Sequence, residues 1–253
     1  MKDKSLKEKA QKIFQVFLPL IVFILVDDCL YLILEVIVTN ISGSGSSMGD
    51  FIITNMTSFE TVIQGVSKLV AALVLFKTIS FEIAVSDVRK DGDNVFPEQI
   101  FADGTVAASP EIKKTTWKSY LGLISLSAII ALVITLLLNL TGLVGSDAGY
   151  AVVWQRQFLS NRGIQVAVYG LLTPLAEELI FRGVIQNRLI RLVGERNGII
   201  ITALLFAVYH FNLVQGIYAF IMGIIFGFYY RRYRKITIPY AMHAAANIVS
   251  LFI

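Results

Sequence analysis

The chain has 253 residues, 56% of them hydrophobic and 16% charged, with a mean hydropathy of +0.70. A soluble domain of this length has no core large enough to hide so much apolar surface, so the composition excludes an ordinary globular protein and predicts a polytopic membrane protein. The formal charge of +4 comes without a basic stripe interleaved with aromatic residues, so no nucleic acid is expected as a partner.

The apolar runs predict an all-α, polytopic transmembrane helix bundle of about seven spans, with room for an eighth, at roughly residues 13–38, 59–79, 118–140, 164–193, 198–211, 213–230 and 236–253. The first run is too long for a signal peptide, and no small-residue cleavage site follows it cleanly, so it reads as retained. It is interrupted by Asp27, Asp28 and Glu35, and the second run by Lys68. Such charges suit either an ion path or a buried ion pair that orients two helices. Cys29, the single cysteine, lies in the first run, so neither a disulfide framework nor a zinc–thiolate cluster is available.

Residues 39–58 read as a Gly/Ser-rich external loop. Residues 80–117 read as a mixed-charge cytoplasmic loop with turn signals at Asp91-Gly92, Asp103-Gly104 and Pro110. Residues 148–159 suit an interfacial helix with Trp154 and Phe158 at headgroup depth, or an ordinary loop. Gly65, Gly216, Gly223 and Gly227 suit close helix packing.

Lysine and arginine collect in the N-terminal tail (Lys2, Lys4, Lys7, Lys9, Lys12) and in alternate loops. These hold Arg89, Lys90, Lys113, Lys114 and Lys118, then Arg188, Arg191 and Arg196, then Arg231, Arg232, Arg234 and Lys235. The other loops hold Arg156 and Arg162. This asymmetry predicts a cytoplasmic N-terminus and, with seven spans, an external C-terminus. The net positive charge is thus a topology signal, and the expected location is the cell membrane.

The fourth run carries Glu177, Glu178 and Arg182. A carboxylate at bilayer depth costs several kcal/mol, with ~2.5–3.5 kcal/mol as the low estimate on insertion scales. Such residues face a protein interior or a wet cavity. Glu178 and Arg182 are spaced i,i+4 and can pair. Glu177 is turned ~100° away and is free to act on another neighbour. Pro174 is expected to kink the helix or loosen its hydrogen bonding just before the pair.

Both histidines of the chain, His210 and His243, lie in later apolar runs, and His243 shares a helix face with Asn247. At ~1.5 Å rise per residue, Glu177, His210 and His243 lie ~20, ~18 and ~10 Å from the ends of their spans, so all three can reach intermediate depth. Singly, each polar residue could be interhelical glue. Together, a carboxylate and two imidazoles suggest water activation. Either Glu177 and the imidazoles bind a metal with an open position, or Glu177 is a general base while the His and Asn groups stabilise an oxyanion.

The motif Glu177-Glu178-Leu179-Ile180-Phe181-Arg182, followed by Gly183, resembles the E-E-x-x-x-R motif of the CPBP family of intramembrane proteases. That family includes the CAAX prenyl endopeptidases and the bacterial bacteriocin-processing and immunity proteins. Phe206 and His210 match its F-x-x-x-H motif, and His243 and Asn247 its H-x-x-x-N/D motif. The resemblance covers about residues 163–253 and divides the chain into an N-terminal transmembrane region, 1–162, and a CPBP-like catalytic bundle, 163–253. It implies an endopeptidase that hydrolyses a peptide bond at or within the membrane. Catalytic roles fall to Glu177, His210, His243 and Asn247, with Glu178, Arg182 and Phe206 in support. A divalent metal such as zinc would be held by Glu177, His210 and His243; a metal-free glutamate mechanism is the competing account. The implied substrate is a membrane-associated peptide, prenylated or bearing a leader. The alternative is a non-proteolytic immunity or partner-binding protein, or a small transporter that uses Asp28 or Lys68.

Overall fold

The computed structural model describes residues 2–87, 114–147 and 159–253. All elements among them are helical. They are α1 (Lys2–Ser42), α2 (Ser47–Thr54), α3 (Met56–Asp87), α4 (Trp117–Leu140), the short α5 (Leu143–Ser146), α6 (Arg162–Val193), α7 (Glu195–Tyr209), α8 (Leu213–Tyr233) and α9 (Thr237–Ser250). The segment 148–158, most of the interfacial helix suggested by sequence, lies outside the described residues, as do the turn signals between residues 91 and 110.

Two expected loop boundaries are corrected. The Gly/Ser-rich stretch 39–58 is largely helical, because α1 continues to Ser42 and the apolar Phe51-Ile52-Ile53 run forms α2. Ser46 caps α2, its hydroxyl accepting the Gly49 N–H at 3.1 Å. α3 also runs past residue 79 to Asp87, through a stretch without Gly or Pro to stop it.

Among the described residues four helical segments are long and apolar enough to cross a membrane: Met56–Thr78, Trp117–Leu140, Arg162–Val193 and Leu213–Tyr233. α7 and α9 have 15 and 14 residues, fewer than the ~20 that a bilayer core requires. α1 is not among the four. The chain is therefore a multi-pass membrane protein, helical throughout its described elements.

α6 is the most enclosed of these segments, with 56% of its most apolar window buried against 22–39% for the other three. It is not a uniform α-helix. Its backbone is π-helical over Val166–Leu172 and Leu179–Gln186, with the α-helical turn Thr173–Glu178 between them. Pro174 has no N–H to donate back along the ladder, and the first π-helical stretch ends beside it. The expected loosening at Pro174 thus takes the form of a changed helical pitch around the two glutamates.

Two apolar cores hold the bundle. One joins Val16 and Phe23 of α1 and Ala71 and Ala72 of α3 to Ile180, Phe181 and Ile185 of α6 and Phe206 of α7. The other packs Leu123, Ala131 and Ile134 of α4 against Met222 and Phe226 of α8 and Met242 and Ala246 of α9. Close approach explains two of the glycines. A Cβ at Gly65 would lie 2.6 Å from Val168, and one at Gly223 would lie 3.1 Å from Ala203. Lys68 forms an ion pair with Asp27 at 3.5 Å, and Asp27 also accepts the Ser67 hydroxyl at 2.6 Å. The charge in the second run is therefore a link between α1 and α3. Asp28 is exposed and Glu35 half-buried.

Candidate active site

Glu177 and Glu178 end the α-helical turn of α6 between its two π-helical stretches. Consecutive positions on a helix point in different directions, and the two side chains meet different environments. The Glu178 side chain is fully sealed, at 0% exposure; Glu177 keeps 6%. Of the two, only Glu177 keeps any exposed surface.

Glu178 sits at the centre of a buried charge cluster. Its Oε1 accepts the Nδ1–H of His243 at 2.8 Å and lies 3.1 Å from the Arg182 guanidinium. That second contact is an ion pair without hydrogen-bond alignment, and Glu178 Oε2 has no hydrogen-bond partner. Arg182 also donates to the Gly223 carbonyl at 3.3 Å and lies over the Phe206 and Phe226 rings at 4.7 and 5.5 Å. Aromatic faces are favourable neighbours for a guanidinium, so α6, α7 and α8 all contribute to holding this cation.

His243 is buried on α9. With Nδ1 donating to a carboxylate, its Nε2 is turned to Glu177 Oε2 at 3.8 Å. That separation is longer than a hydrogen bond. The facing atoms of Glu177 and His243 are therefore available to a third partner. The ring is fixed by stacking on Phe226, centroids 5.0 Å apart at 29°, and by the edge of Phe206 at 5.6 Å. A carboxylate that fixes the tautomer and orientation of a working imidazole is a recurring device.

His210 is the last residue before a sharp turn. It caps α7, and Phe211 follows with a left-handed φ of 49°, a conformation that costs a non-glycine residue ~1–3 kcal/mol. Asn212 then caps α8, accepting the Gln215 N–H at 2.9 Å. Within this turn His210 donates from Nδ1 to the Phe206 carbonyl at 2.7 Å, which leaves Nε2 as its open nitrogen. Its ring meets the Phe206 edge at 4.9 Å, so Phe206 lies between the two imidazoles. Glu177 and His243 are both electrostatic neighbours of His210.

The structure thus gathers Glu177, Glu178, Arg182, Phe206, His210 and His243 around one buried centre. Asn247 is placed differently. Its side-chain amide donates to the Tyr169 carbonyl at 2.9 Å, in the first π-helical stretch of α6. It joins α9 to the backbone that leads into the glutamates. Phe226 was not singled out by sequence, because nothing separates it from the other phenylalanines of the apolar runs. Its role follows from stacking on His243.

The donors expected for a metal are Glu177, His210 and His243. Both imidazoles keep Nε2 open, the nitrogen a metal would need, and among the described residues no group of three or more His, Cys, Asp or Glu is arranged to hold a metal ion. As placed, Glu177, His210 and His243 form no such group.

No curated protein and no solved structure matches the chain. Residues 159–249 match the family described as type II CAAX prenyl endopeptidase, Rce1-like. This segment carries every residue of the cluster just described and is similar to that family.

Proposed function

We propose that the protein is an intramembrane endopeptidase of the cell membrane in which Glu177 activates water directly. The observation that carries this reading is the unequal treatment of the two glutamates. Glu178 is sealed and committed to Arg182 and His243, while Glu177 keeps accessible surface and faces a free imidazole nitrogen at 3.8 Å. A water between Glu177 and His243 would lose a proton to the Glu177 carboxylate as it attacks the peptide carbonyl. Glu177 then gives that proton to the leaving amine, and the imidazoles of His243 and His210, protonated at Nε2 as well as Nδ1, stabilise the developing oxyanion. Glu178 holds His243 in register, Arg182 balances Glu178, and Asn247 ties α9 to the π-helical backbone.

In this reading residues 163–253 supply the chemistry, while residues 1–162 supply spans and one wall of the site. The N-terminus lies in the cytoplasm, in keeping with the lysine-rich tail. The substrate class is a membrane-associated peptide, with a prenylated C-terminal segment the first candidate on the family match.

The test uses full-length protein in liposomes, given a farnesylated peptide ending in a CAAX sequence and, separately, its unprenylated form. Products are identified by mass spectrometry. The expected result is one new C-terminus with the parent protein and none with Glu177→Ala or His243→Ala. Cleavage at the parental rate by those variants contradicts the mechanism. An uncut peptide, together with a biological phenotype that survives Glu177→Gln, points instead to a partner-binding role.

A further inference from the structure

α4 lies outside the family-matched segment and is the least enclosed of the four candidate spans, with 22% of its most apolar window buried. Its buried residues are Leu123, Ser127, Ala131, Ile134 and Leu138, which fall on one helix face at steps of three and four residues. That face packs against α8 and α9. Ser127 is its one polar member, with 0% exposure. The Ser127 hydroxyl donates to the Met242 carbonyl at 2.6 Å, immediately before His243 in the chain.

Ser127 bypasses the acceptor on its own helix. A helical serine or threonine has the carbonyl four residues back within reach, and Thr61, Thr78, Thr202 and Ser250 all donate to theirs. Ser127 reaches across to α9 instead. It is the middle one of three polar contacts along that helix. At the start of α9 the Tyr120 and Thr237 hydroxyls share a hydrogen bond at 2.6 Å, and near its end Asn247 donates to the Tyr169 carbonyl at 2.9 Å. Lipid tails are as apolar as the side chains they replace, so apolar contact gives little drive toward one register between membrane helices. A hydrogen bond weakens steeply with distance and angle, so it is satisfied at one register only. Register matters here because His243 has two targets on α6. Its Nδ1 meets Glu178 at 2.8 Å, and its Nε2 faces Glu177 at 3.8 Å.

We infer that Ser127 is a positioning residue for His243: by holding the Met242 carbonyl it sets the register of α9 and, with it, the aim of His243 Nε2 at Glu177. The kinetic consequence rests on the proposed peptidase reading; the effect on the imidazole does not. A working site then needs α4, a helix that the family match does not include.

The test uses full-length protein in liposomes. Ser127→Ala removes the hydroxyl and keeps the rest of the side chain. Ser125→Ala, the same change at an exposed position of α4, is the control. With the farnesylated peptide, Ser127→Ala is expected to lower kcat about 10-fold, less than the ~10²-fold that a displacement of ~1 Å can cost. KM and melting temperature stay near parental, and Ser125→Ala stays parental in all three. The second readout is nitrogen NMR of protein isotopically labelled at histidine. The chain holds two histidines, and a His210→Gln spectrum assigns their signals. Ser127→Ala should move the His243 Nδ1 signal, which reports the hydrogen bond to Glu178, and Ser125→Ala should leave it in place. A parental kcat per folded molecule in Ser127→Ala overturns the inference, whatever the folded yield, and so does an unmoved His243 signal. If the parent leaves the peptide uncut, the spectrum decides. A moved His243 signal then supports the positioning role while the peptidase reading fails, and an unmoved one overturns the inference as well.

Discussion

Glu177→Gln protein is expected to accumulate and melt like the parent yet to cleave peptide about 10³-fold more slowly, within the range for loss of a positioned general base. The substitution keeps the shape of the side chain and removes its basic oxygen. Little stability is at stake, because the one ionic contact of Glu177 among the described residues is to His243 at 3.8 Å. The neighbouring change behaves differently. Glu178→Gln removes the charge that meets Arg182 at 3.1 Å and His243 Nδ1 at 2.8 Å. It should lower melting temperature and slow turnover together, because the imidazole loses its anchor as the guanidinium loses its counter-ion. Melting temperature and kcat measured on the two purified variants separate these outcomes. Equal losses of stability in both would remove the division of labour between the glutamates.

The largest loss of stability is expected from Arg182→Ala. Arg182 and Glu178 both have side-chain exposure of 0%. Removing one member of a buried ion pair strands the other, at about 3–5 kcal/mol. The change also empties the space between the Phe206 and Phe226 rings and frees the Gly223 carbonyl. Folded yield and midpoint in a denaturant series report this. The Arg182→Met, Glu178→Gln double variant strands no full charge, so it should recover part of the stability while staying slow, since His243 still lacks its carboxylate. An Arg182→Ala protein as stable as the parent but inactive would instead place Arg182 on the substrate or the water.

Much of this site was legible in the sequence because a membrane makes polarity conspicuous. Glu177, Glu178, Arg182, His210 and His243 stand out in apolar runs, and the i,i+4 spacing of Glu178 and Arg182 correctly indicates their pairing. The helical class followed from the same runs. The count of spans did not follow as directly. α7 and α9 are short, and length and composition pick out four helices among the described residues.

Three features were hidden for a physical reason. The π-helical pitch of α6 depends on how its backbone packs around Pro174, which periodicity over a few residues does not record. The hydrogen bond from His243 to Glu178 is a contact between positions 65 residues apart. Phe226 and Tyr209 look like any other aromatic of a membrane span until the helices are assembled around His243 and Lys68. The Lys68–Asp27 pair belongs to the same class, since the charges alone suited an ion path equally well.

In the proposed mechanism Glu177 and His243 act on water with no metal between them. The most direct measurement is turnover of the farnesylated peptide by parent protein after exhaustive chelation, with metal content determined on the same sample. The expected result is an unchanged rate at a metal content far below one per chain. A rate that collapses on chelation and returns on adding zinc would contradict it.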